Sequence, residues 1–410
     1  MRFISALVPR ALPLLLLVTP VLTLNTDPSS HYVIISLILP GKIALSSSTD
    51  DVATIVGTLA KLPQAVFAIR SGGHSPNPGW ANAALGITIG LQQLNNVHVS
   101  CDGCIASVGS GTRWVDVHRV LDSLELEVIG GKFGSVGVGG LILGGGISAF
   151  SPSRGWACDN VVNFQVVLAS ALKGGQNNFG VVTRFDLQTF RHGLYWGGNL
   201  AYPDTTEEAH FMYASPPNGS ASRSCPNPMF YAEPVVKPNG LRPFSDIQPQ
   251  LFSTMLLANC DTSVIFRFTP EILPRIELTR MANLTFVLTF MDIPAQPPNS
   301  RNSFGFPSDS HPDRELFLDL FSLHWLDASY SSMIPAEARI LIRDIEDLVA
   351  DVGLAHPFLY ANWVTWWQDP IRGYGEDSVR QLQRMSREYD PDRVFQESVP
   401  GGFKLPRDGV

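Results

Sequence analysis

Nine of the seventeen residues at positions 130–146 are glycine, where the chain's 35 glycines in 410 residues would put about 1.5. So dense a run lets backbone N–H groups approach a bound anion with no Cβ in the way, and it admits φ > 0 wherever the path requires it. A flexible linker would surround its glycines with polar residues. Here Val136, Val138, Leu141, Ile142 and Leu143 are interleaved with them. The segment therefore reads as a tightly packed binding loop, and a pyrophosphate is its natural guest.

The composition narrows what could surround such a loop. A net charge of −8 weighs against a nucleic-acid binder, which needs clustered positive charge. With 45% hydrophobic and 16% charged residues there is ample apolar surface to offset chain entropy, so a folded protein is expected. At roughly 100–200 residues per domain the length suggests two or three domains, or two lobes of one enzyme.

Met1-Arg2, Arg10 and the apolar run at 11–22 have the order of a secretory signal, a positive start followed by about 7–15 apolar residues. The run is short of the ~20 residues that span a bilayer, and Pro13 and Pro20 interrupt it. Export is the expectation, with residues 1–23 as the signal. Asn218 and Asn283 open sequons that can carry N-glycans in an exported chain. The apolar run at 32–39 suits a buried strand. Five cysteines, at 101, 104, 158, 225 and 260, are too few for a disulfide scaffold. Cys101-Asp102-Gly103-Cys104 reads as a hairpin turn flanked by two thiols. No second such pair completes a metal set, and no metal site is expected.

Ser48 or Thr49 can cap a helix with Val52, Ile55, Val56 and Leu59 on one face. A buried strand at 65–69 follows and ends in a turn-rich segment, 70–79. The alternating run 87–91, the Asp-Gly hairpin and a helix facing inward through Trp114, Val117, Leu121 and Leu124 complete an α+β pattern of layers. From about 195 to 330, proline pairs and aromatic residues replace the dense glycines, which suggests a second, substrate-facing region. An amphipathic helix is expected at 337–352, stopped by Gly353. A last helix, with Val379, Leu382 and Met385, should end at Asp390-Pro391.

Several chemistries lack their motifs. The chain has no G-x-G-x-x-G, no P-loop, no H-E-x-x-H and no G-x-S-x-G. What it has is a lone histidine, His74, between Gly73 and Ser75 at the end of a buried strand, where small neighbours leave room for a large planar partner.

Taken with the glycine run, that loop is specific. Arg70-Ser71-Gly72-Gly73-His74-Ser75, with Gly79 after it, resembles the R-x-G-G-H-S loop of the berberine-bridge-enzyme-like flavoprotein oxidases. These belong to the vanillyl-alcohol-oxidase superfamily, with its PCMH-type FAD-binding domain. Ser135-Val136-Gly137-Val138-Gly139-Gly140 and Gly144-Gly145-Gly146 resemble the second flavin loop of that family. The segment Asn178-Phe179-Gly180-Val181-Val182-Thr183 resembles the strand that closes its FAD domain. Tyr360-Ala361-Asn362-Trp363, Tyr374-Gly375, Tyr389-Asp390-Pro391 and Phe395 resemble the segment that returns to it. The likeness covers about residues 48–190 and 356–405.

The resemblance implies an α+β, two-lobed architecture: an FAD-binding domain over 24–190, a substrate domain over 191–355 built on an antiparallel sheet covered by helices, and a returning segment over 356–410. It implies FAD bonded through an imidazole nitrogen of His74 to the flavin 8α-methyl carbon. Many relatives add a second bond through a cysteine, but Phe133 holds that position here, so a single link is expected. It implies Tyr360 as the catalytic base, with Asn362 supporting the isoalloxazine; a phenol with a pKa of about 10 must be lowered to act near neutral pH. The implied reaction moves hydride from a C–H bond of an alcohol, sugar or secondary metabolite to the flavin, with O2 as acceptor. Aromatic residues of the second region (Trp196, Tyr213, Phe230, Tyr231, Trp325, Tyr330) could stack on such substrates. The chain departs from the family at 168–172, where a turn and a strand are missing, and in the poorly fitting residues 32–46. The departures leave open a catalytically impaired member that folds poorly or binds no flavin.

Overall fold

Ser48 sets the first long element. In the computed structural model its hydroxyl accepts the Asp51 N–H (3.1 Å), and the Asp51 carboxylate accepts the N–H of Ser48 (3.0 Å). This reciprocal box satisfies donors that a helix start leaves orphaned. The helix it opens, α1 (Thr49–Leu59), buries Val52, Ile55, Val56 and Leu59, the stripe expected from their spacing. The structure describes residues 22–23, 34–35, 42–62, 65–167, 178–203, 212–215, 224–231, 233–258, 285–293, 304, 317–324, 328–351, 353 and 355–407. The signal run at 1–21, the sequon residues Asn218 and Asn283, Trp325 and the shortened segment at 168–172 lie outside these residues. Leu22–Thr23 pairs with Ile34–Ile35, and the rest of the strand expected at 32–39 is outside them too.

In the first lobe α1 is the crossover that parallel pairing requires. Strands Lys42–Leu45 and Phe67–Arg70 flank Ile87–Gly90 in a parallel three-stranded sheet. Beside it an antiparallel sheet is organised by Val181–Arg191, the strand expected to close the domain. It pairs with Ile105–Gly109, Leu126–Val128 and Val161–Val167. The strands on either side of the shortened segment are thus direct neighbours, Val167 opposite Val181. Val97–Val99 and Ile105–Gly109 form the hairpin read from Asp-Gly, with Gly103 at φ +71°. Cys101 and Cys104 are exposed and unbridged there.

Two local readings change. The helix α2 (Trp114–Asp122) buries Trp114, Val117 and Leu121, but Leu124 lies beyond its end and is 46% exposed. Residues 138–143, read as loop, form a short helix, α3 (Val138–Leu143), set between Gly137 and Gly144. Val138 and Ile142, four apart, are both fully buried, and that anchorage outweighs the low helix propensity of its glycines.

The second lobe is an antiparallel seven-stranded sheet built on Tyr195–Pro203, Ser224–Tyr231, Met212–Ser215, Thr285–Asp292 and Phe317–His324 in that spatial order, with two short strands on the Tyr195–Pro203 edge. The helix Met333–Asp351 starts four residues before the expected position and stops at Gly353, whose φ is +71°. Among the described residues no helix is long and apolar enough to cross a membrane.

The chain then returns to the first lobe. Phe67 N–H donates to Ser398 O (2.9 Å), Asn178 Nδ2 donates to Phe403 O (2.9 Å), and Phe403 packs edge-on against Trp80 (4.6 Å between centroids). The helix Glu376–Tyr389 contributes Leu382 to the same core. The Asp390 carboxylate accepts the N–H groups of Val394 and Phe395 (2.8 and 3.0 Å).

Candidate flavin site

The strand Phe67–Arg70 delivers its last residue into the histidine loop. Arg70 Nη1 donates to Asn82 Oδ1 (2.9 Å), and the guanidinium lies so close to Gly73 that a Cβ there would sit 2.9 Å from Arg70 Nε. Gly73 also has φ +67°, so the turn needs glycine on both counts. His74 and Ser75 are exposed. Asn77 is buried beneath them and donates through Nδ2 to Val364 O (3.1 Å), which ties the loop to the returning segment. Gly79 (φ +80°) closes the loop into open space.

The loop crosses the glycine segment backbone to backbone. A Cβ on Gly72 would lie 2.5 Å from Gly137 Cα, and a Cβ on Gly137 would lie 2.4 Å from Gly72 N. Ser71 Oγ donates to Ser110 O (2.5 Å), and a Cβ on Gly139 would meet that hydroxyl at 3.0 Å. Thr112 O accepts the Val138 N–H (3.0 Å), and Val136 O accepts that of Trp114 (3.1 Å). Arg113 donates to the carbonyls of Gly72 (3.1 Å) and Ser135. Gly140 faces open space. Gly145 (φ +108°) and Gly146 (φ +81°) wrap against Phe304 and Ala157. Gly180 leads into the buried Val181 and Val182 of the closing strand. The structure thus brings the two predicted loops together.

These residues fit a cofactor carrying many acceptor oxygens. The buried hydroxyls of Ser110 and Thr112, on the connection that touches both loops, have no hydrogen-bond partner among the described residues. A buried polar group left unpaired is costly, and a bound phosphate or polyol would satisfy them. Partial desolvation, then the charge of Arg113, lowers the proton affinity of His74 below the usual histidine value.

Tyr360, the residue expected as base, lies deep beside the glycine segment. The side chain is 4% exposed, packed against Trp156 (5.5 Å between centroids). Its oxygen accepts the Ile147 N–H (3.2 Å) and a proton of Asn362 Nδ2 (3.1 Å). Burial outweighs these bonds and pushes the phenol up to about 12, away from what a base near neutral pH needs. Through the Ile147 N–H, Tyr360 holds the far end of the glycine segment. Asn362 holds the same end with it. Its Nδ2 also donates to Leu141 O (3.0 Å), and its amide lies so flat on Gly144 that a Cβ there would be 2.1 Å from Oδ1. Tyr360→Phe would leave the buried Ile147 N–H unpaired, at a cost of about 1–3 kcal/mol. A lower thermal midpoint with turnover reduced less than about 10-fold is expected; a loss of several orders of magnitude at unchanged stability would restore the phenol as base.

The sequence reading missed a third support. His118 of α2 is buried, with Nδ1 3.1 Å from Glu127 Oε1 and Nε2 3.2 Å from Gly131 O. Burial alone would lower its pKa, but the Glu127 carboxylate outweighs burial and raises it to about 9. The charged imidazole then donates from both nitrogens and fixes the start of the glycine segment. Only the helical spacing Trp114-Val117-His118-Leu121 marks the position as inward-facing. Because the folded-state value is raised, the stabilisation is complete below about pH 6.5, the unfolded value, and disappears as pH rises through about 9. His118→Gln is therefore expected to melt well below the wild type at pH 6 and close to it above pH 9, as calorimetry across that range will show.

Of the aromatic candidates for stacking, Trp196 is core at 2% exposure. Phe230 is half-buried against Phe150 and Tyr195, Tyr330 is half-buried, and Tyr231 is exposed. Tyr213 lies in the strand Met212–Ser215, and its side chain is outside the described residues.

A two-lobed α+β chain whose histidine loop is pinned against a glycine cradle defines a flavin-dependent oxidoreductase. Residues 40–171 match the FAD binding domain family. The chain is 30% identical to the FAD-dependent monooxygenase drtC of Aspergillus calidoustus, over 92% of this chain and 85% of the relative. It is 31% identical to the FAD-dependent monooxygenase tpcD of Cochliobolus heterostrophus, over 87% and 83%. Among solved structures, 6-hydroxy-D-nicotine oxidase of Arthrobacter nicotinovorans superposes with a TM-score of 0.67 at 19% identity, covering 89% of this chain and 91% of that one. Glucooligosaccharide oxidase of Acremonium strictum, described with 6-S-cysteinyl, 8α-N1-histidyl FAD, superposes at 0.65 and 16% identity, covering 89% and 91%. The chain belongs to the FAD-dependent oxidoreductases that these relatives represent, and its fold is that of the berberine bridge enzyme.

Proposed function

We propose that the enzyme is an oxidase that holds FAD through a single covalent bond at His74 and oxidises a small alcohol, sugar or secondary metabolite, with O2 as the electron acceptor. The observation that carries this is the crossing of Gly72 and Gly137, which sets His74 two residues from the glycine cradle. FAD supplies the redox chemistry, accepting hydride from a C–H bond next to oxygen or nitrogen. The chain supplies the frame. His74 tethers, and Ser110 and Thr112, whose hydroxyls have no partner among the described residues, receive the polar tail. Asn362, exposed above Gly144 and fixed by Leu141 and Tyr360, presents its amide to the bound ring. A half-buried phenylalanine, Phe133, stands where a second, thioether link would need a cysteine. The names of similar proteins, glucooligosaccharide oxidase, berberine bridge enzyme and solanapyrone synthase, support this substrate class. Domain limits at 24–190, 191–355 and 356–410, export and glycosylation at Asn218 and Asn283 belong to the same reading.

The test is direct. Purified protein should be yellow, keep its colour in the acid precipitate and release hydrogen peroxide with an alcohol or an oligosaccharide. Yellow protein inert toward both would point to the impaired alternative, and colourless protein would overturn the proposal.

A further inference from the structure

Arg113 belongs to neither flavin motif, yet it touches both loops. Its backbone is extended (φ −99°, ψ 152°) just before α2 and forms an isolated antiparallel bridge with Gly137. Its guanidinium donates through Nη2 to Gly72 O (3.1 Å) and through Nη1 to Ser135 O. The planar fork suits two carbonyls in different directions, which an ammonium on a flexible stem does not match. Among the described residues it makes no ion pair with a carboxylate, so its charge is left to act on its surroundings, and the Gly72 carbonyl that it holds lies two residues from His74.

The other charges near the imidazole are few. Arg70, on the same loop, donates to Asn82 and rests its guanidinium against Gly73, so it is the second cation beside the imidazole. The segment 130–146 carries one charged residue, Lys132, and residues 360–368, which reach the loop through Val364, carry none.

We propose that Arg113 is a positioning residue for covalent attachment: its guanidinium locks the two loops in register and places a permanent positive charge beside the imidazole that must act as nucleophile. The proposal rests on the reading that His74 is the attachment point. Attachment joins an imidazole nitrogen to the flavin 8α-methyl carbon. One imidazole N–H and one methyl C–H are lost, and the two protons and two electrons leave for dioxygen, giving hydrogen peroxide. A doubly protonated imidazole has no lone pair for that bond. A neighbouring cation disfavours the extra proton.

The experiment uses full-length protein produced under flavin starvation and then mixed with FAD. The flavin retained in the acid precipitate is followed in time between about pH 5.5 and 9, the range in which an imidazole titrates. Arg113→Lys keeps the charge without the fork, and attachment should slow by a similar factor at every pH. Arg113→Gln keeps a donor without the charge. It should attach about 5-fold or more slowly than the Lys variant near pH 6 and converge on it near pH 9. A purely structural Arg113 would lower both profiles without displacing either, and that result, or attachment at the wild-type rate, overturns the proposal. Should the Gln variant fail to fold, the wild type carries the test. Raising salt from about 0.01 M to 1 M shortens the screening length from ~30 to ~3 Å and must move the wild-type profile to higher pH; an unmoved profile overturns the proposal. Failure of the underlying reading is distinguishable, because wild type and His74→Ala would then both release all their flavin into acid.

Discussion

Gly137→Ala is expected to yield a colourless protein, while Gly140→Ala, three residues on, stays yellow. The backbone of Gly137 (φ −77°, ψ 142°) is one that alanine adopts freely, so the entire penalty is steric. The new methyl would lie 2.4 Å from Gly72 N and 2.6 Å from Gly72 Cα, where an ordinary contact needs about 3.5 Å. Neither side can yield cheaply. Gly72 is held through its carbonyl by Arg113, and Ser71 beside it by Ser110. Forcing the loops apart costs about 1–3 kcal/mol or more by the standards of overpacked cores. It also displaces His74 from the cradle, so FAD affinity should fall at least 100-fold, a loss of about 2.7 kcal/mol or more in binding. Flavin absorbance of the purified variants checks this. At Gly140 nothing lies within 4 Å of an added Cβ, so an alanine there that bleached the protein would show that the open space is occupied by the cofactor itself.

His74→Ala should take the acid-stable fraction of flavin from complete to zero while the fold survives. The imidazole is exposed, and no hydrogen bond of the frame runs through it, so its removal leaves the Gly72–Gly137 crossing intact. The variant then holds FAD only by reversible contacts, and ligand linkage makes its stability depend on free FAD: about 2.7 kcal/mol at a hundredfold excess over Kd, and nothing without it. Thermal midpoints measured with and without added FAD should therefore separate for the variant and coincide for the wild type. Flavin retained in the acid precipitate of His74→Ala would place the covalent bond on another residue.

The elements whose pattern is local were legible in the chain. α1 announces itself through Ser48 and a four-residue apolar stripe, the hairpin through Asp102-Gly103, and the two loops through glycines that their crossing requires. What escaped depends on contacts between distant residues. α3 is a helix because Val138 and Ile142 are drawn into the core, against the preference of the glycines between them. His118 looks ordinary until Glu127, nine residues on, is folded against it with Gly131. Tyr360 shows the same limit from the other side. The structure sets it beside the glycine segment, but its raised proton affinity follows from burial against Trp156, and no motif encodes a dielectric. Arg113 was hidden because its partners are carbonyls, which every residue possesses.

The returning C-terminal stretch has a consequence for the order of biosynthesis. By the time a ribosome has completed residue 190, both flavin loops exist, but Asn362 over Gly144, Val364 under Asn77 and Gly401 against Trp80 have yet to be made. The first lobe is therefore closed by residues far downstream of it, the kind of contact of long sequence separation that forms slowly. A nascent chain stalled inside the second lobe would be left with an open cradle.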